Sequence, residues 1–329
     1  MPAYKRAAMP AYIREDLKPM IAATPEQTTW DIAALRRGGE ELLGGAAPDL
    51  GGAELAVAKI AGGEGQPLEI RTLSPGAGER KGTLQRVIYS IHGGGYVAGK
   101  AEYDDPKHAE LAQEFHAEVI SPEYRLAPEH PWPAGLEDCL AGLEYAAGRA
   151  AALAVPLYIF GDSAGGGLAY FAALLYSNGA QGQSHFLKMQ RKLSANYPIS
   201  GTILLEPCLD PRMDTDPFDR YSEGPIWNRK AAAEAWRITA VTPESRAEIA
   251  QLLEDPQLAA QFPPSIIIVN PVDPLRDEGI ALARHLVDCG VPAELHMYAG
   301  SFHGALSVPG NQIWAEIQAV MRRFFGRNV

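Results

Sequence analysis

The chain has 329 residues, enough for one large α/β domain or two average ones. Hydrophobic residues make up 47%, enough for a sizeable core, which argues against wholesale disorder. A net charge of −11 and a pI near 5.3 argue against a nucleic-acid surface and against an anionic-membrane patch.

The chain opens MPAYKRAAMPAYIRED, with positive charges but no apolar stretch after them, so no signal peptide is expected. Residues 1–50 read as an N-terminal cap segment of helices broken at Gly38-Gly39 and Gly44-Gly45. Residues 51–329 read as one α/β domain. Short apolar, β-branched runs predict strands at Glu54–Ile60, Leu68–Leu73, Arg86–Ile91, Glu118–Ser121, Leu157–Phe160, Thr202–Leu205, Ser265–Val269 and Ala293–Tyr298. Helical patterns lie around 106–117, 135–150, 164–177, 275–289 and 311–325. In the helix at 275–289, Leu275, Ala283, Leu286 and Val287 form one apolar face, with Arg276, Glu278 and Arg284 outside it. From residue 84 strand and helix mostly alternate, as a largely parallel sheet covered on both faces requires.

Two stretches break that rhythm. Residues 178–200 form a polar insert containing Gly and Ser, and a loop rich in Pro and Asp follows Leu205, leading to helices near 229–240 and 244–260. Loops this long in a compact domain are usually lids or flexible segments, so about 178–260 is read as a cap or lid insertion. The longest apolar stretch, Ala150 to Phe160, is too short to span a bilayer and contains Pro156. No membrane insertion is expected. Cys139, Cys208 and Cys289 are odd in number, far apart and without a CxxC, which supports neither a zinc site nor a disulfide framework. The chain is read as soluble and cytoplasmic, with a homodimer left open.

Gly161-Asp162-Ser163-Ala164-Gly165 fits G-x-S-x-G between a strand and a helix. Such a turn lifts the serine hydroxyl above the sheet, and it brings backbone so close at positions −2 and +2 that a Cβ would clash. A serine needs a base to take its proton and donors for an oxyanion. The strand Arg86–Ile91 runs into His92-Gly93-Gly94-Gly95-Tyr96, whose glycines let backbone N–H groups face inward. Gly93-x-Gly95-x-x-Ala98 also fits a dinucleotide fingerprint formally, but Gly99 and Asp104-Asp105-Pro106 interrupt any helix there. Among the eight histidines, His285 lies in a helix and His296 in a strand. His108 and His116 are placed on a surface helix, His130 in a proline-rich loop and His185 in the polar insert. His92 reads as a structural donor shaping its loop. His303 stands in a loop beyond the last strand, where parallel sheets carry their chemistry. The orienting acid should follow another strand, which selects Asp273, with Asp277 as the fallback; Asp210, Asp214 and Asp216 are less well placed. Asp273 before Pro274 equally fits a helix N-cap.

HGGGY at 92–96, YRLAPEHPWPA at 124–134, GDSAGGG at 161–167, and DPLRDEG at 273–279 with FHG at 302–304 together resemble the bacterial hormone-sensitive-lipase-like esterases of the α/β-hydrolase fold. The resemblance runs from about residue 84 to the end. It implies a mostly parallel sheet flanked by helices with a helical cap. It also implies a carboxylesterase with nucleophile Ser163, base His303 and acid Asp273, and an oxyanion hole from Gly93, Gly94 and Ala164, with no metal or cofactor. YRLAPEHPWPA is then a scaffold loop beneath the site. The expected partner is a small ester with a short or medium acyl chain. Tyr96, Trp132, Ile226, Trp227 and Phe302 are candidate pocket residues, each equally suited to core or cap packing. The same triad would serve an amide or lactone hydrolase, and a non-catalytic receptor on this fold would lack the histidine. Three features depart from the family: the length of the 178–200 insert, Asn270-Pro271-Val272 before Asp273, and Glu206 after the Thr202–Leu205 strand.

Overall fold

A computed structural model describes residues 12–23, 31–42, 48–76, 83–179, 197–224 and 226–326. All eight expected strands are present: β1 (Glu54–Ala61), β2 (Pro67–Ser74), β3 (Arg86–Ile91), β4 (Ala117–Pro122), β5 (Leu157–Asp162), β6 (Ile199–Leu205), β7 (Ser265–Val269) and β8 (Ala293–Met297). They form one sheet in the order β1-β2-β4-β3-β5-β6-β7-β8. β1 and β2 join antiparallel at one edge, and every pairing from β4 to β8 is parallel. The sheet is mostly parallel and flanked by helices, as the motif set implied.

The sequence explains which strands lie inside. β3, β4 and β7 are mostly apolar or small, apart from Arg86 and Glu118, and are buried almost throughout, as strands covered on both faces must be. β1 alternates poorly and stays exposed at the edge. The helices are α1 (Lys18–Ala23), α2 (Ile32–Leu42), α3 (Asp105–Glu114), α4 (Ala134–Leu153), α5 (Ala164–Asn178), α6 (Asp216–Arg220), α7 (Arg229–Thr239), α8 (Pro243–Glu254), α9 (Pro256–Ala259), α10 (Arg276–Asp288) and α11 (Gln312–Phe325). One apolar cluster joins α4, α5 and α7 to one face of the sheet, and a second joins α3 and α11 to the other.

Several expectations are corrected. α2 runs through Gly38-Gly39 to Leu42, because two glycines weaken a helix without ending it. Gly44-Gly45 and most of the 178–200 insert lie outside the described residues, while Ile199 onward already belongs to β6. The helix expected at 244–260 is two. Pro256 cannot donate to a continuing helix, and Asp255 caps a new one by accepting from the N–H groups of Gln257 and Leu258. On α10, Val287 is 55% exposed and Leu282 takes its place beside Leu275, Ala283 and Leu286. Position 282 lies seven residues, almost two full turns, after 275, whereas 287 has rotated off that stripe. Among the described residues, no helix is long and apolar enough to cross a membrane.

Candidate active site

The site is assembled at the carboxyl ends of β3, β5, β6, β7 and β8. β5 ends at Asp162, α5 begins at Ala164, and Ser163 is the single residue between them, with φ +57° and ψ −120°. That strained conformation is held by its neighbours. The Ser163 N–H donates to Leu205 O at 2.9 Å, and its carbonyl accepts from the N–H groups of Gly167 and Cys208. Side chains on either side of the turn are forbidden. A Cβ on Gly161 would run into the Gly165 carbonyl, and one on Gly165 into the carbonyls of Ile91 and His92. The clash anticipated for the glycines of G-x-S-x-G is therefore present in atomic detail.

His303 faces the serine from the loop after β8, with Nε2 2.9 Å from Ser163 Oγ. Its Nδ1 lies 2.8 Å from Asp273 Oδ2. A parallel bridge between Val272 and Phe302 ties together the residues just before Asp273 and His303. The backbone thus holds Asp273 and His303 as neighbours. Asp273 also serves as the turn residue its Asp-Pro sequence suggested: Oδ1 accepts from the Leu275 N–H at 2.9 Å. Asp277 instead pairs with Arg276, Asp210 with Arg212 and Asp216 with Arg220, all away from the imidazole.

Ser163, Asp273 and His303 are all buried. Burial by itself lowers an imidazole pKa, but the carboxylates of Asp273 and Glu206 outweigh it and push His303 up to about 9. Glu206 is the residue that sequence reasoning noted as unusual without giving it a role. Its φ is +38°, its N–H donates to Ile268 O, and its side chain is 1% exposed. Oε1 accepts from the Gly304 N–H at 2.7 Å, Oε2 accepts from the amide of Asn270, and Oε2 lies 3.9 Å from His303 Nδ1. Glu206, Asp273 and His303 bring their ligating atoms within 4.8 Å of one another, the spacing a cation would need. Their hydrogen bonds already run to one another, to Asn270 and to backbone, so the cluster is self-satisfied.

On the other side of Ser163 stands the His92–Tyr96 loop. An added Cβ on Gly93 would lie 3.0 Å from Asp162 O and 3.5 Å from Ser163 Cβ, so the loop rests directly against the serine turn. Gly94 adopts φ +118° and Gly95 φ +62°, which suits residues without a side chain. Among the described residues no protein acceptor takes the N–H groups of Gly93, Gly94 or Ala164. His92 is the loop's keystone. Its Nδ1 is 2.8 Å from Gly93 O, its ring stacks on Tyr124 at 4.2 Å, and burial lowers its pKa to about 4. Tyr124 opens the YRLAPEHPWPA segment, and its hydroxyl donates to His92 O at 2.9 Å. Arg125 of the same segment binds Asp138 on α4, and the Ala127 N–H donates to Tyr96 O. The turn after Gly95 is followed by α3 only at Asp105, so no helix opens on the glycines as a dinucleotide fingerprint requires. His108 is not on the surface: it is fully buried with Nε2 2.8 Å from Ser90 Oγ.

The candidate pocket residues divide. The Trp227 ring stacks beside His303 at 5.8 Å, and Ile226, with φ +63°, lies against Gly304. Tyr96 is buried next to Trp236 and its hydroxyl donates to Cys208 O. Phe302 is wholly buried within the second core cluster, and Trp132 bonds Glu248 and packs on Phe171. These last two are core residues, placed there because they flank the loops rather than line their open side.

A sequence profile described as the alpha/beta hydrolase fold matches residues 88–307, the span that carries every site loop. The chain belongs to the α/β-hydrolase family. Its likeness to the hormone-sensitive-lipase-like carboxylesterases, expected from the motifs, stands. An ethyl acetate hydrolase of Pseudomonas putida is 29% identical over 73% of this chain and 72% of its own length. An arylesterase of Saccharolobus solfataricus is 27% identical over 91% and 92%. Among solved structures, a bacterial heroin esterase superposes with a TM-score of 0.80 at 28% identity, covering 96% of this chain and 99% of its own. The relatives are carboxylic ester hydrolases, the enzyme class expected of this α/β hydrolase.

Proposed function

We propose that this α/β hydrolase is a serine carboxylesterase acting on short- to medium-chain acyl esters through Ser163, His303 and Asp273. The observation that carries the reading is the unbroken hydrogen-bonded line from Ser163 Oγ through His303 to Asp273. His303 Nε2 takes the serine proton as Oγ attacks the ester carbonyl carbon. The carbonyl oxygen becomes an oxyanion facing the N–H groups of Gly93, Gly94 and Ala164, which need no reorganisation to receive it. Asp273 holds the Nδ1–H and stabilises the imidazolium. The tetrahedral intermediate collapses as His303 gives its proton to the leaving alcohol. Water then repeats the sequence on the acyl-enzyme.

Trp227, stacked on His303, and Ile226, against Gly304, bring bulk beside the imidazole, which supports a small acyl group over a long one. We assign them, with α1, α2, α6, α7 and α8, to a cap over the catalytic domain; β6, which falls inside the expected 178–260 insertion, belongs to the central sheet instead. The test is hydrolysis of p-nitrophenyl esters from acetate to dodecanoate by the wild type and by Ser163→Ala. The expected result is activity on the shorter chains that falls roughly 10⁶-fold in the variant. A folded wild type that cleaves amides or lactones but no ester would overturn the substrate class, and activity unchanged in Ser163→Ala would overturn the nucleophile.

A further inference from the structure

We infer that Glu206 is a second positioning acid for His303, sharing with Asp273 the task of orienting the imidazole and stabilising its cation. This rests on the reading of Ser163, His303 and Asp273 as the working triad.

Three observations point the same way. The carboxylate is aimed: its two oxygens accept from Gly304, the residue next to His303, and from Asn270, three residues before Asp273. It is coupled to the first acid, because the Asn270 amide nitrogen also lies 3.2 Å from Asp273 Oδ2, so one buried side chain braces both carboxylates. And it is near: Glu206 Oε2 stands 3.9 Å from the same Nδ1 that Asp273 holds at 2.8 Å. A small pivot of the ring would transfer the Nδ1–H from one acid to the other. Neither carboxylate has an ion-pair partner among the described residues other than His303.

Burial, helped by the charges of Asp162 and Asp273, raises the Glu206 pKa well above its ordinary value; a protonated His303 and the N–H donors on both of its oxygens oppose that shift, so Glu206 is held ionised by the imidazolium it faces. The other titratable groups facing it are Asp162 from the end of β5 and Asp273 after β7, with Glu278 of α10 beyond Asp273. Among the described residues, His303 is thus the one cation-forming group within a nest of acids. Two consequences follow. The imidazole holds its proton more tightly than one acid alone would make it. And loss of Asp273 leaves an acid still in reach.

The first experiment follows the His303 imidazole by NMR against pH in the wild type and in Glu206→Gln, which keeps an oxygen for the Gly304 N–H. The expected midpoint falls in the variant by about one pH unit or more, and the acid limb of kcat/KM for p-nitrophenyl acetate moves with it. An unchanged midpoint overturns the inference. The NMR reading needs no substrate, so failure of the esterase assignment would show separately, as absence of Ser163-dependent hydrolysis.

The second experiment compares Asp273→Asn alone with Asp273→Asn/Glu206→Gln. A solitary acid would cost about 10⁴-fold when neutralised. With Glu206 present the expected loss is smaller, on the order of 10²–10³-fold, and the double variant returns to about 10⁴-fold. Equal cost of Asp273→Asn in both backgrounds overturns the inference. So does a Glu206→Ala defect that Glu206→Gln rescues with a wild-type pH profile, since that would reduce Glu206 to an acceptor for Gly304.

Discussion

Ser163 lies between two buried histidine loops that use one side chain in opposite ways. On the β8 side His303 meets carboxylates and is pushed up to about 9; on the β3 side His92 meets the Gly93 carbonyl and a tyrosine ring and is lowered to about 4. Their exposures are nearly equal, 4% and 2%. Burial lowers both rings, and only beside His303 do carboxylates override it. That contrast fits the proposed division, one loop for proton transfer and the other for holding backbone N–H groups still.

The largest expected effect breaks the proton-transfer side. His303→Gln keeps a polar group beside Ser163 but removes the base, and kcat should fall roughly 10⁶-fold in the ester assay. Next comes the donor side. A Cβ on Gly94 would run into Ala98 O, so Gly94→Ala should displace the loop and lower kcat by about 10²–10³-fold with little change in KM. A pH profile sharpens the contrast. A base must be unprotonated, and His303 is raised above the ordinary 6.5, so kcat/KM should climb as pH rises from 6.5 towards 9. His92→Asn should leave that limb where it is while lowering the rate about tenfold, whereas a shifted limb would show that His92 takes part in proton transfer.

The smallest effect concerns stability. His92 and His108 have folded pKa values below 6.5, at about 4 and about 3. Such groups stabilise the fold above pH 6.5, and the contribution is lost as pH falls towards the folded values because the unfolded chain binds the protons first. Each contributes on the order of 1–3 kcal/mol. Urea unfolding at pH 7 and pH 4.5 should show a larger fall in midpoint for the wild type than for His92→Asn.

Much of this was legible in the sequence because local rules and tertiary demands agree. Buried parallel strands carry near-continuous apolar runs, such as Ile266–Val269 of β7, so they are visible in the sequence. Ser163 is visible because its turn excludes side chains on both flanks. Where local and tertiary signals part, the reading fails. His108 sits among charged residues of α3 and looks solvated, yet its ring is spent on Ser90 of β3, a pairing no spacing announces. Asp255-Pro256 interrupts a helical pattern whose hydrophobic period continues beyond it. Glu206 was conspicuous as an acid at the end of a core strand, but its role depends on Asn270 and Gly304, 64 and 98 residues further on.

The helix behind the serine carries a last consequence. Every residue of α5 from Ala164 to Tyr176 is buried, and the strand before it is buried almost as completely. No local fraying can expose that segment without opening the centre of the molecule. Amide hydrogens there should exchange with deuterium only through global unfolding, and more slowly than those of α7 and α8. Heat or denaturant should therefore cost the protein the Ser163 turn last, after the proposed cap has already begun to open.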